Sequence, residues 1–221
     1  VSDFTWNDSS WMAERKKYDD RRQPVSIYET SLGQWKSGKE LVAFAKEKGY
    51  THVELHPVME FLEDGSDGYP TSAYFAVSTR YGTPAEFAAL VDELHQVGIG
   101  VILDWSPAQF PRYAGGLEKF DGTPLYEVKD PEMAVHPMWG TMLYNYDSPM
   151  VMDFLISNAC FWLEVFHVDG LRMDDVDAML YLDYGRKDGW TPNMYGSNEN
   201  LPAIEFLKHL NSIVKKRDPG A

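Results

Sequence analysis

The sequence predicts an α/β fold in which helices pack on a parallel sheet. The first observation is a fourfold alternation of short apolar strands with amphipathic helical segments, the pattern of right-handed βαβ units. The second is that polar side chains with catalytic potential stand at the ends of predicted strands, where α/β folds place their sites. The third is that no glycine-rich loop follows the first strand, which disfavours a nucleotide-binding Rossmann sheet.

The predicted elements alternate along the chain from about residue 24. Strands are expected at residues 24–29, 51–58, 100–105 and 170–176, and helices at 39–48, 84–97, 150–166 and 200–216. The helices are identified by apolar residues at helical spacing; Gly49 ends the first and Pro84 begins the second. The segments 60–81 and 106–149 show little periodicity and are predicted to be long loops. Residues 1–23 are interpreted as a lead-in or linker, followed by one domain over 24–221.

Composition argues against several classes of protein. The net charge of −14 argues against nucleic acid and anionic membranes as partners. No apolar run is long enough to span a bilayer, and no signal peptide is recognised. The single cysteine, Cys160, is expected in the core and fits a reducing, cytoplasmic compartment. The 7 Trp, 13 Tyr and 11 Phe suit a thick core or stacking surfaces for sugars.

The segment 166–174 carries the strongest chemical signal. Because alternate residues of a strand share a face, Arg172 and Asp174 should point to one side, with Leu171 and Met173 on the other. A carboxylate kept ionised beside a guanidinium at the end of a strand suits nucleophilic or electrostatic catalysis on a cationic transition state. A purely structural Arg–Asp pair is the alternative.

No metal or cofactor is predicted. The six histidines are scattered, and none is paired with another His or Cys at ligand spacing. His52 and His56 share a strand face, but a separation of roughly 13 Å along the strand is too large for one ion.

A series of motifs runs through the chain in order. Examples are Gly49-Tyr-Thr-His-Val-Glu-Leu55, Phe120-Asp-Gly-Thr-Pro-Leu-Tyr126 and Met179-Leu-Tyr-Leu-Asp-Tyr184; others lie at 27–35, 64–69, 74–84, 94–105 and 154–158. Together they resemble the bacterial 1,4-alpha-glucan (glycogen) branching enzymes of the alpha-amylase superfamily, glycoside hydrolase family thirteen. The likeness runs from about residue 24 to the C-terminus.

This resemblance implies a (β/α)8 barrel of which the chain supplies the first four βα units, with an insertion at 106–149 after the third strand. Asp174 would be the nucleophile that attacks the anomeric carbon of an α-1,4-glucan, and Arg172 would keep it ionised. Tyr69 matches the tyrosine of the sugar-stacking floor, with an aromatic packed on the barrel rim as the alternative. Asp104 matches the strand-three aspartate, for which the ordering of a loop end is the alternative to direct sugar contact.

The chain also departs from the family pattern near the expected site. Gln109 stands where the family has a histidine that holds the sugar's hydroxymethyl group; its amide can hydrogen-bond a hydroxyl but cannot be cationic. The family's Ser-Trp-Gly-Tyr-Gln is here Ser-Asp-Gly-Tyr-Pro at 66–70. After the nucleophile, the family's Ala-Val-Ala-Ser is replaced by a sequence that adds Asp175 and Asp177. Strand alternation predicts that Asp175 faces away from Asp174 and leaves the direction of Asp177 open.

The resemblance further implies a glutamate acid/base and a sugar-gripping His–Asp pair, and no residues of this sequence match them. The chain alone is therefore predicted to be inactive. Three functions stay open: a branching transglycosylase of glycogen biosynthesis, a degenerate or truncated barrel that binds glucan or has no activity, and a related amylase. The motifs at 120–126 and 179–184 disfavour the amylase.

A half barrel is expected to need a partner, either the remaining half or a second copy. Its open edges and apolar inner face would otherwise meet water. The apolar residues expected on these strands are Ile27, Val53, Leu55, Val101, Leu103 and Leu171.

Overall fold

A computed structural model describes residues 4–17 and 23–221 of the chain. The strands are β1 (Ile27–Thr30), β2 (His52–Leu55), β3 (Met59–Phe61), β4 (Thr71–Val77), β5 (Gly100–Trp105), β6 (Gln109–Phe110), β7 (Met142–Leu143) and β8 (Gly170–Met173). Strands β1, β2, β5 and β8 pair in that order, and every pair is parallel. The predicted α/β fold with a parallel sheet is confirmed.

The helices are α1 (Ser9–Arg15), α2 (Gly38–Lys48), α3 (Pro84–Gln96), α4 (Pro131–Ala134), α5 (Pro149–Val165), α6 (Val176–Leu180) and α7 (Leu201–Arg217). The predicted helices correspond to α2, α3, α5 and α7, with ends that differ by at most one residue. Local chemistry explains two of these ends. A reciprocal capping box between Thr83 and Glu86 begins α3 with Pro84 in its first turn. Gly49, with φ +76°, ends α2 in the left-handed conformation that glycine adopts without strain.

The two faces of the sheet differ sharply in polarity. Val53, Leu55, Val101 and Leu103 are fully buried in the same core as the helices, so the expectation that they line an exposed apolar face is wrong. Strand alternation instead sends the charged neighbours of these residues to the other face. That face carries Glu54, Asp104 and Arg172. Leu171 and Met173 pack against the core, on the side predicted for them.

The two long segments contain more regular structure than their sequences indicate. Within 60–81, β3 and β4 form an antiparallel hairpin, and within 106–149 the short strands β6 and β7 pair. The fourth strand is shorter than predicted and ends at Met173. It ends there because Asp175 has a left-handed backbone conformation, φ +58°, after which α6 begins.

The N-terminal segment 4–17 packs on the body of the domain through the helix α1. Its Arg15 is 3% exposed and forms ion pairs with Asp169 at 3.1 Å and Asp218 at 2.5 Å. The predicted lead-in extends to residue 23, and its residues 1–3 and 18–22 lie outside the described residues.

Two further properties concern the described residues only. None of their helices combines the length and hydrophobicity that a bilayer crossing requires. Within 4–17 and 23–221, no three His, Cys, Asp or Glu side chains are grouped so as to hold a metal ion.

Cys160 is 5% exposed, as predicted for a core residue, and burial raises the pKa of its thiol.

Candidate active site

The C-terminal ends of β5 and β8 bring three of the predicted site residues together. In the parallel register, Asp104 of β5 lies opposite Arg172 of β8. The Nη1 atom of Arg172 lies 3.4 Å from Asp104 Oδ2 and 3.0 Å from Asp174 Oδ1. One guanidinium therefore contacts two carboxylates, one from its own strand end and one from the neighbouring strand.

Asp174 stands at the rim of the sheet and remains accessible. Its backbone N–H donates to the Trp105 carbonyl at 2.9 Å, which holds it against the end of β5. Its side chain is 27% exposed, whereas that of Asp104 is fully buried. Burial raises the pKa of Asp174, Arg172 opposes this rise, and the charges of Asp175 and Asp104 add to it. The accessible carboxylate thus lies in direct contact with a guanidinium, an arrangement that suits nucleophilic or electrostatic catalysis.

Tyr69 reaches the same cluster from the β3–β4 loop. Gly68 precedes it with φ +86°, and a Cβ there would lie 3.2 Å from the Phe61 ring, so this close turn favours glycine. The Tyr69 hydroxyl donates to Asp104 Oδ2 at 2.5 Å and accepts from Arg172 Nη1 at 3.3 Å. Burial and the hydrogen bond to Asp104 raise the pKa of Tyr69, so its hydroxyl stays protonated as a donor.

Glu54 is a member of the cluster that the sequence prediction missed. Its Oε1 lies 4.0 Å from Arg172 Nε, and its side chain is 14% exposed. Burial raises the pKa of Glu54, and the nearby charges of Asp104 and Glu29 raise it further. The signal was present in the sequence, because Glu54 alternates with the apolar Val53 and Leu55 and so faces the same side as Asp104.

Gln109 lies beside this cluster but does not contact it directly. It is 5% exposed, its Nε2 donates to Asp175 Oδ2 at 3.0 Å, and its Oε1 accepts from the Thr141 hydroxyl. Strand alternation does not apply to Asp175, because β8 has already ended at Met173, and the prediction that it faces away from Asp174 stays a prediction. Asp175 carries a charge that raises the pKa of Asp174.

The other departures from the family pattern lie further out. Asp67 and Asp177 are exposed, and Pro70 is half-buried. Asp177 belongs to the first turn of α6.

A separate cleft of about 280 Å³ lies between the segment 106–149 and the loop that follows α6. Its wall includes Tyr144, Tyr181 and Tyr184, but none of the site residues predicted from the sequence. The carboxylate–guanidinium cluster, and not this cleft, is therefore the candidate active site.

Comparison with known proteins agrees with the fold. The family described as "Alpha amylase, catalytic domain" matches residues 10–107. The crystal structure of a candidate alpha amylase from Salmonella typhimurium superposes with a TM-score of 0.69 at 22% identity, over 97% of this chain and 32% of that one. Identity at this level shows the fold alone.

Three curated relatives are much more similar in sequence. Each is a 1,4-alpha-glucan branching enzyme GlgB: that of Frankia casuarinae is 51% identical over 229 residues, that of Thermobifida fusca 50% over 228 and that of Methylococcus capsulatus 50% over 232. The alignments cover 99–100% of this chain but only 28–31% of the relatives, so the chain spans less than a third of their length. The chain is therefore, over its whole length, a relative of the 1,4-alpha-glucan branching enzymes in the alpha-amylase superfamily, and the resemblance that its motifs indicated is confirmed.

Proposed function

We propose that this chain is the front part of the catalytic domain of a cytoplasmic 1,4-alpha-glucan branching enzyme, which acts on α-1,4-glucan in glycogen biosynthesis. In this proposal residues 24–221 form the first four βα units of a (β/α)8 barrel, with 106–149 as the insertion after the third strand. Residues 1–23 would lead into it. The parallel sheet and the similarity along the whole chain support this arrangement.

The observation that carries the proposal is the contact of Arg172 Nη1 with Asp174 Oδ1 at 3.0 Å, on an accessible strand end. Asp174 attacks the anomeric carbon, the α-1,4 bond breaks, and the glucan stays on Asp174 as an ester. A 6-hydroxyl then attacks that carbon, gives its proton to the group that had protonated the leaving oxygen, forms the α-1,6 bond and releases the carboxylate. Arg172 keeps Asp174 ionised before the attack and after this release.

Tyr69 and Asp104 form the floor of the sugar site in this proposal. The hydrogen bond of 2.5 Å between them fixes the tyrosine ring, and a half-buried ring offers a flat apolar surface to a sugar. The retaining mechanism also needs a carboxylic acid about 5–5.5 Å from the nucleophile to protonate the leaving oxygen. We assign that acid to a part of the catalytic domain beyond residue 221.

The test is a branching assay of the protein encoded by the full reading frame. Incubation with amylose should create α-1,6 linkages, which proton NMR counts directly. Asp174→Asn should abolish them, whereas the exposed Asp177→Asn, which removes the same charge three residues along, should retain them. A wild-type protein without branching activity, or an Asp174→Asn variant that keeps it, would contradict the proposal.

A second candidate is a barrel that binds α-glucan without catalysis. The observation that favours it is Gln109, because this residue and Asp175 differ from the family pattern beside the nucleophile. Such a protein would bind maltooligosaccharides in calorimetry while forming no α-1,6 linkages in the same assay.

A further inference from the structure

A buried chain of polar side chains joins the insertion at 106–149 to the end of β8. Thr141, Gln109 and His136 are 9%, 5% and 1% exposed, and the Asp175 side chain is 8% exposed. The Thr141 hydroxyl donates to Gln109 Oε1, and Gln109 Nε2 donates to Asp175 Oδ2 at 3.0 Å. Two departures from the family sequence are thus in direct contact with each other.

The donors and acceptors of Asp175 and Thr141 determine the orientation of the Gln109 side-chain amide. Asp175, when ionised, only accepts hydrogen bonds, so it must face the Gln109 nitrogen. The Thr141 hydroxyl donates to the amide oxygen, which pins the other end. With neither partner the amide of Gln109 would be free to turn over, because its two ends have similar shapes. The Gln109 amide nitrogen has two N–H donors, and the hydrogen bond to Asp175 uses only one of them.

Asp175 is itself held in place. Its backbone has the left-handed conformation, φ +58°, which aspartate adopts more readily than most residues. The His136 Nε2 lies 2.9 Å from Asp175 Oδ2, close but poorly aligned for a hydrogen bond. Because His136 Nδ1 accepts the backbone N–H groups of Met138 and Trp139, both at 3.2 Å, the ring carries its proton on Nε2, towards Asp175.

We propose that Asp175 is a positioning residue that orients the Gln109 amide towards substrate, so that these two residues act as one unit in place of the family's histidine and alanine. Asp175 and Thr141 fix which end of the amide is the donor, and the remaining N–H of Gln109 binds a sugar hydroxyl next to Asp174. The inference rests on the proposed branching function. It gives a role to the carboxylate of Asp175, for which the family pattern has no counterpart.

The test is a double-mutant cycle of branching kinetics in the protein encoded by the full reading frame. We expect Gln109→Ala and Asp175→Ala each to lower kcat/KM by roughly tenfold to a hundredfold, since the first removes the hydrogen bond to the sugar and the second leaves the amide that donates it unoriented. The kcat/KM of the double variant should be no lower than that of the more impaired single variant, because the second substitution removes a residue that has already lost its role.

Two further variants separate positioning from mere folding. Asp175→Asn keeps an acceptor oxygen and should recover most of the activity that Asp175→Ala loses. Combining Gln109→His with Asp175→Ala restores the family's pair and should exceed Asp175→Ala alone. Asp177→Ala, which removes an exposed carboxylate, is the control and should match wild type. Melting curves of all variants identify any that fail to fold.

The outcomes distinguish this inference from the proposed function. Strictly additive losses, a wild-type-like Asp175→Ala variant, or a folded Asp175→Asn variant as impaired as Asp175→Ala would overturn the positioning role while the branching function stands. A folded wild-type protein that forms no α-1,6 linkages would overturn the function itself, and the positioning role with it.

Discussion

Replacing Arg15 with methionine should destabilise the folded protein strongly, although the residue is far along the chain from its partners. Its guanidinium is 3% exposed, contacts Asp169 and Asp218, and donates to the Val168 carbonyl at 2.7 Å. Methionine retains much of the side-chain length but leaves two buried carboxylates without this cation. Removing one partner of a buried ion pair typically costs about 3–5 kcal/mol.

The expected loss can be read as a melting temperature. For a domain of this size, 1 kcal/mol corresponds to about 2–4 °C, so Arg15→Met should lower Tm by roughly 6–20 °C. The matched control is Arg217→Met, because Arg217 contacts Glu164 through two nitrogens, at 2.7 and 2.9 Å, but is 55% exposed. An exposed pair contributes only about 0–1 kcal/mol, so the control should lose at most a few degrees.

The pH dependence provides an internal check. Burial alone would raise the pKa of Asp169, but the hydrogen bond and charge of His95, with the charge of Arg15, hold it below the usual value. A depressed pKa means that the stabilisation is present above the pKa of the unfolded chain, about 3.9, and is lost as the pH falls. The difference in Tm between the wild-type protein and Arg15→Met should therefore become smaller as the pH is lowered. Equal Tm losses for Arg15→Met and Arg217→Met at neutral pH would refute the reasoning.

Three further predictions concern the site. Asp174→Asn should raise Tm at neutral pH, because the raised pKa of this carboxyl means that its ionisation costs folding stability, and this gain should vanish below about pH 4, where the carboxyl is protonated. A lower Tm at neutral pH would show that the Arg172 contact outweighs burial and the neighbouring negative charges. Gly68→Ala should lower Tm and branching activity more than Gly65→Ala. Both glycines have positive φ, so both substitutions share a backbone cost of about 1–2 kcal/mol, but only at Gly68 would the added Cβ lie 3.2 Å from the Phe61 ring. Equal effects of the two substitutions would contradict this. The isolated 221-residue chain should form no α-1,6 linkages detectable by proton NMR, because no residue in it matches the general acid, which typically raises the reaction rate about 10²–10⁴-fold. Branching by this chain that Asp174→Asn abolishes would show that another carboxyl supplies the proton.

Local sequence patterns were sufficient for most of the regular structure. The capping residues and the helical periodicity of α3 are contained in residues 83–96, so no tertiary information was needed to predict it. The same holds for the contact of Arg172 with Asp174, which their spacing of two residues predicts although β8 ends at Met173. The hairpin of β3 and β4 was missed because its pairing depends on residues that are up to eighteen positions apart, such as Met59 and Val77.

The sequence by itself determined the parallel α/β fold, the family resemblance and the Arg172–Asp174 pair, since each follows from short-range periodicity or from an ordered series of motifs. Only the tertiary structure decided which groups share the site. The hydrogen bonds of Tyr69 with Asp104 and of Gln109 with Asp175 join residues 35 and 66 positions apart. Such contacts depend on strand register and on where a strand ends, as at Asp175, whose left-handed backbone follows the end of β8 and precedes α6.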